Sequence, residues 1–152
     1  MRAFLGMGAN LGDRAATLRD AVLHTPDVAS VSPLYETAPV GGPPDQEQYL
    51  NLVVMMDTEL EPYELLDLCH RLESAADRVR TVRWGPRTLD VDVLLVDGIE
   101  LDAEDLVIPH PRLWERRFVV APLADLAPDL IPPGSLERAG GIVRLVGMLE
   151  LS

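Results

Sequence analysis

The sequence contains no lysine; all thirteen of its basic residues are arginines. Against them stand 25 acidic residues, which leaves a net charge of −12 at neutral pH. Positive charge this scarce excludes binding to nucleic acid by phosphate neutralisation over a broad surface, and it argues equally against an anionic membrane as partner. The lack of lysine also excludes the Gly-Lys-Ser/Thr phosphate loop. One cysteine, Cys69, cannot form an internal disulfide. It recurs with Leu65, Leu66 and Leu72 at helical spacing and reads as a buried structural thiol. No stretch approaches 18 consecutive apolar residues and no signal-peptide pattern opens the chain, so a cytoplasmic protein is expected. Aromatics make up only 5% of the residues. Trp84, set in polar sequence between Arg83 and Gly85-Pro86, is therefore out of place in a core and better suited to stacking on a flat ligand.

What is present is enough apolar material for one core: 152 residues, 47% of them hydrophobic, are expected to form a single domain over 1–152. Ala3 to Met7 reads as a strand, and Ala15, Leu18 and Val22 as a helix following a turn at Asn10 to Asp13. Gly8 and Gly12 read as turn residues, with Asn10 or Asp13 as the helix cap. Val28 to Glu36 and Tyr49 to Thr58 read as two strands joined by a long Pro- and Gly-rich loop. Pro62 opens a second helix whose stripe is Leu65, Leu66, Cys69, Leu72 and Ala76. Thr88 to Val96 alternates, with Leu89, Val91, Val93 and Leu95 on one face, and Phe118 to Leu126 returns to a helical pattern. This order of strands and helices predicts an α+β sandwich with helices packed on a mostly antiparallel sheet. Residues 129–152 form a tail that periodicity assigns to neither strand nor helix.

Asp90 and Asp92 lie two apart on the alternating strand, so both carboxylates face away from Leu89, Val91 and Val93. Their repulsion is relieved by protonation, by cations or by a divalent metal, and Mg²⁺ favours one or two carboxylates together with substrate phosphates. A solvated polar face is the other reading of the same pair. Just upstream, Arg78, Arg80, Arg83 and Arg87 concentrate four positive charges in ten residues that hold no acid. Arginine forks suit phosphate oxygens, although an arginine-rich surface loop paired with Glu73 and Asp77 would look the same. His110, between two prolines and ahead of Arg112, Arg116 and Arg117, could donate to a phosphate. Tyr49 and Asn51 share a strand face, and Asn51 offers a donor and an acceptor that match the amide-like edge of a heterocycle. The same parts would also serve another metal-dependent nucleotidyltransferase or phosphohydrolase, or a ligand-binding module without catalysis.

The run Arg83-Trp84-Gly85-Pro86-Arg87-Thr88-Leu89-Asp90-Val91-Asp92-Val93-Leu94 resembles the signature of the 6-hydroxymethyl-7,8-dihydropterin pyrophosphokinase family of folate biosynthesis. Gly8-Ala9-Asn10-Leu11-Gly12-Asp13, Tyr35-Glu36-Thr37-Ala38-Pro39, Tyr49-Leu50-Asn51 and Pro109-His110-Pro111 are similar to further family segments. The resemblance covers Ala3 to Pro128, with departures at Ala9, Ala38 and Asp77. It implies a ferredoxin-like α+β sandwich, a monomer, that moves the β,γ-pyrophosphoryl group of ATP to the pterin hydroxymethyl oxygen and releases AMP. It implies that Asp90 and Asp92 hold two Mg²⁺ ions and that Arg78 and Arg87 engage the triphosphate, with Asp92 also counted as catalytic. By the same resemblance Glu73, Arg80, Arg83, His110 and Arg116 fall on the ATP side. Thr37, Val40, Tyr49, Asn51, Trp84 and Phe118 fall in the pterin pocket.

Overall fold

The computed structural model describes residues 1–10, 12–37, 49–77 and 89–151. Eight strands are present among them: β1 (Arg2–Ala9), β2 (Val28–Val31), β3 (Leu34–Thr37), β4 (Tyr49–Asp57), β5 (Asp90–Val96), β6 (Leu101–Asp102), β7 (Val107–Ile108) and β8 (Val143–Gly147). The helices are α1 (Arg14–Leu23), α2 (Pro62–Asp77), α3 (Arg117–Leu126) and the short α4 (Ser135–Arg138). Six strands form one antiparallel sheet in the order β5-β1-β4-β3-β8, with β2 also on β4, while β6 and β7 pair separately.

The expected strand over Val28 to Glu36 is two strands. Pro33 has no N–H to give a ladder, and the preceding Ser32 bonds Val53 through both its N–H and its Oγ, at 2.9 Å each, so the chain steps at this point. Counted as one interrupted strand, β2 and β3 complete a βαββαβ unit whose sheet order is fourth, first, third, second. This is the ferredoxin-like sandwich. The tail is not structureless: it holds a 3₁₀ turn (Pro128–Leu130), α4, and β8, which extends the sheet on β3.

Two apolar clusters lie on the two faces of the sheet. Alternate residues of β1 (Ala3, Leu5, Met7, Ala9) join Leu18 and Val22 of α1 and Leu65, Leu68, Cys69 and Leu72 of α2. Phe4, Val53 and Leu94 face the other way and meet Val119 and Leu123 of α3. The α2 stripe matches the helical period, with Leu68 added and with Leu66 and Ala76 packed at the rim. The β5 alternation holds from Leu89 to Val93 and then breaks, because a register shift between Phe4 and Leu5 pairs Leu5 with Val93 and Phe4 with Leu95. Leu94 and Leu95 thus both serve the α3 side, and Val96 resumes the α2 side. Gly12, at φ 61, occupies the turn before α1, and Asp13 caps the helix by accepting from the Ala16 N–H at 3.1 Å. Gly8, by contrast, sits inside β1, not in a turn.

Candidate active site

The face of the sheet that carries α3 is not covered along its whole length. Beyond the first turn of α3 it opens into a cavity of about 530 Å³. From β5 come Asp90, half-buried, and Asp92, exposed, on the side of the strand opposite Val91 and Val93. From β4 come Tyr49 and Asn51, and from the end of β3 comes Thr37. Helix α2 sends Glu73 to the edge of β5, the segment after β7 supplies His110, and the entry to α3 supplies Arg116 and Phe118. Nine residues singled out from sequence thus line one cavity. The remaining candidates, Val40, Arg78, Arg80, Arg83, Trp84 and Arg87, lie outside the described residues.

Local bonding fixes several of these groups. Asn51, only 6% exposed, donates from Nδ2 to Thr37 Oγ1 at 2.6 Å, which turns its carbonyl Oδ1 away from Thr37. Glu73 Oε2 accepts the backbone N–H of Val91 at 3.0 Å. Since β5 is an edge strand held on one side by β1, this bond ties the residue between the two aspartates to α2. His110 Nδ1 accepts the Arg112 N–H at 3.1 Å, so the imidazole proton resides on Nε2, where it can be donated. The Arg116 guanidinium stands 5.7 Å from the Phe118 ring centroid, a cation–π distance.

The titration behaviour reflects the same crowding. Burial is the main reason the Tyr49 phenol is pushed up, and the charge of Asp90 adds to it. The Cys69 thiol, fully buried beneath the site, is also pushed up, by burial first and then by Asp92 and Glu73. Burial lowers His110, with Arg116 and Arg112 acting in the same direction and Asp92 opposing them, so its neutral form is favoured. The cavity therefore gathers carboxylates, cationic and N–H donors, and an amide together with two aromatic residues.

Sequence reading missed Gly6 and Gly8, which also line the cavity from β1, and gave Arg112 no role of its own although it lines the cavity too. The signal for the glycines was available: two glycines spaced i, i+2 in an apolar strand leave one face without side chains. Arg117, noted in the sequence only as following His110, turns its guanidinium to the carbonyls of Leu136, Glu137 and Gly141 at 3.2–3.3 Å.

Residues 4–128 match the family described as 7,8-dihydro-6-hydroxymethylpterin-pyrophosphokinase (HPPK). The chain is 48% identical over 142 residues to the 2-amino-4-hydroxy-6-hydroxymethyldihydropteridine pyrophosphokinase of Methylorubrum extorquens, covering 90% of this chain and 89% of that protein. It is 48% identical over 129 residues to the protein of the same name from Bacillus subtilis, covering 82% and 77%. Among solved structures, wild-type HPPK-DHPS of Plasmodium falciparum superposes with a TM-score of 0.62 at 16% identity, over 87% of this chain and 38% of that one. That likeness is one of fold, and the chain spans about two fifths of the solved proteins it matches.

Proposed function

The chain belongs to the 7,8-dihydro-6-hydroxymethylpterin-pyrophosphokinase family, and from that premise we propose how its residues divide the work. The reaction transfers pyrophosphate from ATP to the hydroxymethyl group of 6-hydroxymethyl-7,8-dihydropterin, releasing AMP, in folate biosynthesis. The observation that carries the assignment of roles is the single cavity that sets the Asp90–Asp92 pair on β5 against the Asn51 amide on β4. One end suits a polyphosphate and the other a flat heterocycle.

Asp90 and Asp92 fit Mg²⁺: they are hard oxygen donors at i, i+2 on one strand face and they line the cavity. No cluster of three or more His, Cys, Asp or Glu occurs among the described residues, and a two-carboxylate site leaves coordination positions for phosphate oxygens. Two ions bound there would neutralise charge on the transferring group. His110 donates from Nε2, and Arg116 adds a fork to the same nucleotide side, joined by Arg80, Arg83 and Glu73. Arg78 and Arg87 stabilise charge on the group in flight. Asp92 also orients the substrate hydroxyl. Asn51 and Thr37 read the amide edge of the pterin, Tyr49, Phe118 and Trp84 serve its ring, and Val40 is assigned to the same pocket. In-line transfer of this kind needs little covalent help, so positioning and charge supply most of the rate.

Residues 1–152 act as one unit, a reading supported by the pairing of β8 from the tail with β3 of the sheet. The protein works as a monomer, and in the cytoplasm, a compartment in which a free thiol such as Cys69 stays reduced. Asp90→Asn and Asp92→Asn test the division of roles. Each is expected to fold, to bind the pterin as the wild type does, and to lose more than about a hundredfold in pterin-dependent AMP formation. Full activity in both would remove the carboxylates from the mechanism.

A further inference from the structure

Two glycines inside a central strand need a reason, because glycine there costs about 0.5–1 kcal/mol relative to alanine. Backbone conformation is not that reason. Among the described residues the glycines with positive φ are Gly12, Gly98, Gly134, Gly141 and Gly147, and neither Gly6 nor Gly8 is one of them. Space is the reason. The atoms nearest a Cβ on Gly6 would be those of the flexible Leu94 side chain, at 3.2–3.4 Å. A Cβ on Gly8 would stand 2.7 Å from Asn51 Oδ1 and 3.6 Å from Tyr49 Cδ1.

Gly8 also occupies a particular place in the sheet. It pairs with Asn51 on β4 to one side and with Asp90 on β5 to the other. It is thus the residue between the amide assigned to the heterocycle and the carboxylate assigned to the phosphates. Asn51 has little freedom to give way, since its Nδ2 is already committed to Thr37 Oγ1. A methyl group at position 8 breaks that bond or turns Oδ1 away from its present direction, while the strand itself is not obstructed.

The geometry points to Gly8 as a specificity-determining residue: its bare α-carbon holds the Asn51 carbonyl in the orientation that accepts from the N–H edge of a pterin-like amide. This rests on the assignment of Asn51 to the pterin. It separates two costs that usually travel together, because the atom displaced by a methyl is the end of a side chain and not backbone. Alanine at position 8 therefore leaves folding intact and damages recognition.

The test uses Gly8→Ala in the full chain, alone and in an Asn51→Ser background, with binding followed by the fluorescence of 6-hydroxymethylpterin and ATP affinity measured separately in Mg²⁺ buffer. Gly8→Ala is expected to hold Tm within about 4 °C of the wild type, to raise the KM for the pterin by about tenfold or more, and to change kcat and ATP affinity by less than about threefold. In an Asn51→Ser background, Gly8→Ala should cost no further pterin affinity, because the group it displaces is gone. Equal pterin binding by Gly8→Ala and wild type, additive losses in the double variant, or a Gly8→Ala chain that does not fold would each overturn the inference while leaving the activity in place. A wild-type protein that takes no pterin would overturn both.

Discussion

Glu73→Ala is expected to loosen the strand that carries both aspartates without touching either of them. In the folded chain Glu73 Oε2 accepts the Val91 N–H at 3.0 Å, on the open edge of β5. A hydrogen bond to a charged acceptor contributes about 1.5–3 kcal/mol. Water can replace part of it at a half-buried edge, so about 1.5 kcal/mol is lost in the variant. For a chain of this size each kcal/mol moves Tm by about 2–4 °C, which gives a fall of about 3–6 °C. The local effect is sharper: the Val91 amide should exchange about tenfold faster with solvent, a factor equivalent to about 1.4 kcal/mol. Glu73→Gln keeps an acceptor in place and should recover more than half of the loss in Tm. Amide exchange followed by NMR, together with thermal unfolding, reads both quantities. An unchanged exchange rate at Val91 in Glu73→Ala would refute the idea that α2 braces β5 through this bond.

Three further outcomes follow from the structure. His110 should titrate below the ordinary 6.5 in the folded protein, and its burial as the neutral form means that stability is present above pH 6.5 and falls as the pH drops through its folded value; an NMR midpoint at or above 6.5 would contradict this. Tyr35 donates from its hydroxyl to Asp125 of α3 and, chiefly through burial, is pushed up to about 12. Its contribution is complete below pH 10 and lost as the pH rises from 10 towards 12, so Tyr35→Phe should flatten the alkaline loss of stability and shift Tm by no more than about 4 °C at neutral pH. Arg117→Ala removes the fork that grips the carbonyls of Leu136, Glu137 and Gly141, and should raise the KM for ATP more than it lowers kcat, because it loosens the tail whose Gly140 forms a β-bridge with Arg116; an unchanged KM would show that the tail does not position Arg116.

The parts of the fold that were legible in the sequence were those where one physical signal acted alone. Helix α2 needed only its apolar stripe, and β5 needed only its alternation up to Val93. The aspartate pair was visible because a period of two places both carboxylates on one face. The break at Ser32 and Pro33 was hidden because the apolar pattern continues across it, and only the bonds to Val53 reveal two strands. Strand β8 was hidden for a different reason. Ile142, Leu145, Val146 and Met148 remain exposed, so no burial pattern marks the strand, and its pairing with β3 together with the Arg144–Glu36 ion pair at 2.7 Å is a long-range matter. Gly8 was misread as a turn because glycine usually signals a turn, whereas here the constraint comes from a neighbouring strand. The arginines of 78–87 were conspicuous by charge alone, and their arrangement lies outside the described residues.

On the proposed function, one cavity brings a polyphosphate and a pterin together for transfer of two phosphoryl units at once. Chromatography of nucleotides after mixing the purified protein with ATP, Mg²⁺ and 6-hydroxymethyl-7,8-dihydropterin tests it directly, with a pterin-free sample beside it. AMP that forms only when pterin is present, one per pterin consumed and without ADP, is the expected result. ADP as the product, or AMP at the same rate without pterin, would contradict the account.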